Sequence, residues 1–93
     1  MGSGPRERPK RLAEKLYQVR ARLNLSQTQM RDYLGLPKDY HHSLISLWER
    51  GLREPPLTVL LKYARAVPIA VDVLIDDELD LPPPKKRRFA RAS

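Results

Sequence analysis

No cysteine occurs in this chain, and that absence removes a disulfide scaffold, a thiol nucleophile and every cysteine-based zinc or iron–sulfur site. It also fits a cytoplasmic protein. No window approaches eighteen consecutive apolar residues, and the N-terminus lacks the apolar core of a secretory signal, so neither a membrane contact nor export is expected. With 93 residues the chain has material for one modest core, and a separate sensor or catalytic domain is not expected beside it.

What the chain has in excess is positive charge. The net charge is +7, which points to a polyanionic partner, and its distribution says more than its total. Residues 1–11 carry Arg6, Arg8, Lys10 and Arg11 against Glu7, and the stretch 82–93 carries Lys85, Lys86, Arg87, Arg88 and Arg91 with no acid. Between them, 12–71 holds nine basic and five acidic residues, hence +4, while Asp72, Asp76, Asp77, Glu78 and Asp80 crowd the segment that follows. Basic arms with a nearly neutral body between them suit contact with nucleic acid, with solvated ends as the plainer alternative.

Apolar residues at Leu12, Leu16, Val19 and Leu23 keep a spacing of four, three and four and predict a first helix with one apolar stripe. "SQTQ" follows, in which Ser26 can cap the amide of Gln29 while the Gln29 side chain reaches back, a capping box. Met30, Tyr33 and Leu34 form the apolar face of a short second helix that should end at Gly35. Pro37 disfavours continuing through Leu36, and the stretch from Asp39 to Arg50, free of Gly and Pro, predicts a third helix. There His41, Leu44, Ile45 and Trp48 share one face, with Tyr40 and Leu47 at its border, whereas Asp39, His42, Ser43, Ser46 and Arg50 take the other. After Gly51, Pro55 and Pro56 set up a fourth helix on Leu57, Leu60, Leu61, Ala64 and Val67, which Pro68 breaks. "AVDVLIDD" reads as a short fifth helix, although Val71, Val73 and Ile75 would suit a strand equally well.

The fold class expected is therefore all-α, a compact five-helix domain with disordered basic N- and C-terminal arms. Residues 1–9 form the flexible arm, with "MGSG" at 1–4 read as a cloning scar, 10–79 the domain, and 80–93 a Pro/Lys/Arg-rich tail without apolar periodicity.

The adjacent histidines at 41 and 42 invite a reading as chemistry. Neighbours on a helix point in different directions, so they do not grip one metal as a pair four residues apart would, and no third ligand is evident. A general base needs a nucleophile or a paired carboxylate, and Asp39 and Glu49 are poor candidates. No metal, cofactor or enzymatic activity is expected. His41 falls toward the core, and His42 faces outward.

"LSQTQMRDYLGL", "ISLWERGLREP" and "LLKYARAVPIAVDVLI", in this order, resemble the helix-turn-helix family of phage lambda-type and Cro repressors, the Xre family. The resemblance runs from about Leu12 to Ile75 and implies a lambda-repressor-like fold whose third helix enters the DNA major groove while the second crosses the backbone. It implies further that Gln27 meets phosphate or a base edge, that Arg20 and Glu49 pair to bridge the first helix to the third, and that Ile45 and Trp48 are core. His42, Ser43, Ser46 and Leu47 then read bases. Arg50, Arg53 and the loop amides after Gly51, with Arg6 and Arg8 of the arm, hold backbone or enter the minor groove. The function implied is a sequence-specific regulator of transcription, a repressor on a partly palindromic operator, acting as a homodimer on double-stranded DNA in a bacterial nucleoid or a phage-infected cell. The alternative is an antitoxin or accessory regulator whose C-terminal tail, "DDELD" followed by "PPPKKRR", binds a protein partner.

Three departures from the family pattern matter. Nine residues separate Gly35 from Ile45 where the family has about five, so either the third helix gains a turn or the connection becomes a longer loop. Both put Lys38, Asp39, Tyr40 and His41 where the motif meets DNA, which adds Lys38 and Tyr40 to the candidate contacts. Pro68 and Ala70 replace the usual Gly and capping Ser before the fifth helix. Val73 is apolar where the family is polar, and with Val71 and Ile75 it suggests a dimer contact.

Overall fold

The structure, a computed structural model, describes residues 8–83. Arg6, the segment 1–4 and the "KKRR" run lie outside the described residues. Five helices follow one another: α1 (Leu12–Leu23), α2 (Gln27–Leu34), α3 (Ser43–Glu49), α4 (Leu57–Ala66) and α5 (Val71–Ile75). The all-α expectation holds, and "VDVLI" is helix, not strand.

The stripe expected on α1 is the one buried: Leu16 and Val19 are fully enclosed, Leu12 nearly so, and Leu23 packs at the edge. The helix ends at Asn24, whose left-handed backbone (φ 58°) lets its N–H return to the carbonyls of Arg20 and Ala21. On α2 the capping box forms as the residue types demand. Gln29 N–H donates to Ser26 Oγ over 3.1 Å, and Ser26 N–H donates to Gln29 Oε1 over 2.8 Å. Gly35, at φ 67°, closes that helix, a conformation in which any side chain would be strained.

Two expectations about faces and one about where a helix starts are corrected. Tyr33, placed on the apolar face of α2, is 55% exposed, because Met30 and Leu34 alone fill the core side. On α4 the buried stripe is Val59, Leu60, Tyr63 and Ala64, so Leu57 and Leu61 turn outward and the phenol ring of Tyr63 takes the centre of the core. The third helix begins at Ser43, four residues later than Asp39. Between them the chain turns where Tyr40 N–H donates to the Pro37 carbonyl (2.9 Å). Tyr40 then lays its ring 6.4 Å from that of Trp48, tilted by 59°. Leu36 and Tyr40 both pack on the core from this loop. The residues in excess of the family spacing are therefore loop.

The two ends of the domain are joined. Asp77 accepts the Lys10 N–H at Oδ2 and the Arg11 N–H at Oδ1, each over 2.9 Å, and so caps α1 from the far end of the chain. Arg11 in turn donates to the Asp77 carbonyl (2.9 Å) and pairs with Asp80 at 2.6 Å. Lys15 is fully buried on the stripe of α1, where its ammonium donates to the carbonyls of Val73 and Asp76 at 2.9 Å. These are carbonyls left over at the C-terminal end of α5, which a cation satisfies best. Leu81, within the segment that composition assigns to the tail, is 8% exposed and belongs to the core. The acidic stretch thus fastens the end of the domain onto α1, and the folded unit reaches at least to Leu81.

Candidate nucleic-acid interface

The α2–loop–α3 unit is held to α1 by one ion pair. Arg20 Nε donates to Glu49 Oε2 over 2.7 Å and Nη2 to Oε1 over 2.9 Å, a bidentate fork, while Nη1 donates to the Leu25 carbonyl over 2.9 Å. The two side chains are only 17% and 6% exposed, so water screens the pair weakly. The Glu49 hydrogen bond raises the Arg20 pKa further above its ordinary value. Gln27 also turns to this carboxylate, its Nε2 lying 3.4 Å from Glu49 Oε1. The first residue of α2, the last of α3 and the C-terminal half of α1 therefore meet at one carboxylate. Tyr17, exposed on α1, covers the pair with its ring 5.4 Å from the Arg20 guanidinium carbon. Behind it lies Tyr63, whose buried hydroxyl has no hydrogen-bond partner among the described residues. Burial, followed by the charge of Glu49, pushes its pKa far up.

With Ile45 and Trp48 inward, α3 turns Ser43 and Arg50 to solvent and leaves Ser46 and Leu47 half-buried beside them. Arg50 Nη1 lies 3.4 Å from Ser46 Oγ. The two histidines exchange the roles expected of them. His41 is exposed and His42 half-buried, because both precede the helix and the periodicity that sorted them does not apply. His42 occupies the N-cap position without making a cap bond. His41 makes it instead: Ser43 N–H donates to His41 Nδ1 at 3.2 Å, and Ser43 Oγ lies 2.9 Å from the same nitrogen. While it accepts this amide proton, Nδ1 carries none of its own. The His42 ring stacks beside it at 4.2 Å.

Beyond α3, Gly51 adopts φ 73° and the amides turn back: Gly51 N–H donates to the Trp48 carbonyl (3.2 Å), and those of Leu52 and Arg53 to the Leu47 carbonyl (2.9 and 3.4 Å). These amides close the helix, leaving the exposed Arg53 side chain as the polar group the loop presents outward. Arg8 and Lys10, at the root of the arm, line the same cavity of about 310 Å³ as Arg53, Gly51 and Trp48. Arm and loop therefore share one edge of the molecule, on which Arg8, Lys10 and Arg53 outweigh the carboxylate of Glu54. Lys38 is exposed in the connecting loop, and Tyr40 is held half-buried against Trp48. Val71 and Val73 are half-buried, while Ile75 is 41% exposed and lines a cleft with Arg8 and Pro9.

Three contributions went unread in the sequence. Lys15 had a signal, since it stands three residues after Leu12 and four before Val19, on the buried stripe. His41 had a weaker one, as the residue two before Ser43. Asp77 had none, because the amides it accepts lie 67 and 66 residues away.

No helix among the described residues is long and apolar enough to cross a membrane. A family model described as helix-turn-helix matches residues 16–74, which takes in Arg20, Glu49 and all of α2, α3 and α4. No curated protein and no solved structure matches the chain.

Proposed function

Because the chain belongs to the helix-turn-helix family of lambda-repressor and Cro type, a family of DNA-binding transcription regulators, we propose that it is a sequence-specific repressor. It binds double-stranded DNA as a homodimer, with α3 in the major groove of a partly palindromic operator. The observation that carries this reading is the Arg20–Glu49 fork, which holds α3 at its C-terminal end with Ile45 and Trp48 inward. That fixes which side of the helix is offered outward.

On that side, Ser43 and Ser46 exchange hydrogen bonds with base edges, and Leu47 meets a thymine methyl. His42 borders them at the start of the helix. Arg50, Arg53, Gln27 and Lys38, together with Arg6 and Arg8 of the arm, hold the backbone, and Tyr40 braces the loop that brings Lys38 to it. The basic edge where Arg8 and Arg53 meet supports this division of roles. Val71, Val73 and Ile75 form the contact between protomers, supported by the exposure of Ile75 and of nearby Leu79.

Selection of bound sequences from a random duplex library tests the proposal. An enriched motif with two-fold symmetry is the expected result. Absence of enrichment would overturn specific recognition, and an enriched motif without symmetry would overturn the homodimer.

A further inference from the structure

We infer that Asp77 is a positioning residue for DNA binding: its carboxylate fixes the root of the basic N-terminal arm and thereby sets Arg8 beside Arg53. The inference rests on the reading above, in which arm and loop hold the DNA backbone.

Asp77 lies outside the residues that the family model covers, and its contacts are made with the two residues at which the arm leaves the fold. The residue at the N-cap of α1, Arg11, makes no side-chain cap bond. Both amides there go to Asp77, one to each oxygen at 2.9 Å. Two hydrogen bonds from consecutive amides to one carboxylate fix the direction of the chain as well as its place, and charge-assisted bonds of this kind are among the stronger ones. The clasp is closed from the other side by Arg11, which donates to the carbonyls of Asp77 (2.9 Å) and Leu79 (3.4 Å) and to Asp80. Lys15 ties the preceding turn to α1 through Val73 and Asp76. The acceptor is therefore itself held rigidly.

Two residues upstream of this anchor stands Arg8. It lines the cavity shared with Arg53 and also a cleft walled by Ile75 and by the acids Asp72, Asp76, Asp77 and Glu78. Arg8 thus has an acidic side and a basic side. The anchor at Lys10 leaves it with one foot on the Arg53 edge, where Glu54 is the acid among the lining residues, against the stronger attraction of the four acids in the cleft behind it. Without the two amide bonds, the root of the arm is free to turn into the acidic cleft, and a cation is withdrawn from the DNA side.

The test measures binding of the full chain to a fluorescent random-sequence duplex as salt is varied, a readout in which each lost phosphate contact lowers the slope of log K against log salt by about 0.9. Compared are wild type, Asp77→Ala, the arm variant Arg6→Ala/Arg8→Ala, all three changes combined, and Arg53→Ala. The arm variant is expected to lower the slope, Asp77→Ala to lower it by about one contact, and the combination to be no lower than the arm variant alone. A wild-type slope for Asp77→Ala beside a lowered slope for the arm variant would overturn the inference. So would full additivity of the two losses, since Asp77 would then act elsewhere. If the arm variant keeps the wild-type slope while Arg53→Ala lowers it, the arm does not touch DNA and the inference falls with that part of the reading. Should Asp77→Ala not fold, Asp77→Asn, which accepts one amide where aspartate accepts two, is expected to give an intermediate slope, and a wild-type slope for it would overturn the inference.

Discussion

Arg20 and Glu49, 29 residues apart, close a two-pronged ion pair at 2.7 and 2.9 Å with the carboxylate only 6% exposed. Removing one partner strands the other charge in a poorly solvated place, which costs about 3 kcal/mol. Glu49→Ala should therefore lower the unfolding free energy by roughly that amount and, because α3 loses its tether, weaken DNA binding in the fraction that remains folded. Urea unfolding monitored by Trp48 fluorescence measures the first effect. A loss well under 1 kcal/mol would place the pair among ordinary surface bridges.

Tyr63 offers a gain. Its ring is fully buried, but its hydroxyl has no partner among the described residues, and an unsatisfied buried hydroxyl costs about 1–3 kcal/mol. Tyr63→Phe keeps the ring and should raise stability by about 1 kcal/mol. A destabilised Phe variant would show that the hydroxyl is satisfied in solution.

His41 caps the third helix through Ser43. His41→Ala should cost about 1 kcal/mol of stability, as the loss of a helix cap does, and the Ser43 amide should exchange faster with solvent. Unchanged exchange at Ser43 would exclude the cap.

Asp77 sets a pH dependence. The amides of Lys10 and then Arg11 hold its carboxyl below the ordinary value of 3.8. A folded-state pKa lowered in this way contributes stability that is present above the unfolded value and lost as pH falls through the folded one. The melting temperature of wild type should therefore exceed that of Asp77→Asn most at neutral pH, and the gap should close as the pH drops below the ordinary carboxylate range. A gap that persists at the acid end would show that the carboxylate charge is not what the amides recognise.

What could be read from the sequence was what neighbouring residues decide. The stripe of α1, the Ser26–Gln29 box and the Gly35 stop depend on contacts within one turn, and each lies where the pattern puts it. The Arg20–Glu49 pair was legible only through family resemblance, since nothing within α1 requires Glu49. The start of α3 was not legible, because the helical run after Asp39 loses to a turn at Pro37 and to the packing of Tyr40 on Trp48, both settled by tertiary contact. The same applies to the orientation of α4, where exchanging Leu57 and Leu61 for Val59 and Tyr63 is a small rotation of one apolar face. The clasp of Asp77 on α1 joins the two ends of the domain and is invisible to any local window.

The most direct test of DNA reading by α3 compares affinity for the selected operator with affinity for random duplex, in wild type, Ser43→Ala/Ser46→Ala and Arg53→Ala. The serine variant should lose about 1–3 kcal/mol of discrimination while random binding is retained. Arg53→Ala should weaken both DNAs alike and lower the salt slope by about one unit. Equal losses on operator and random DNA for both variants would contradict sequence reading by this face of the third helix.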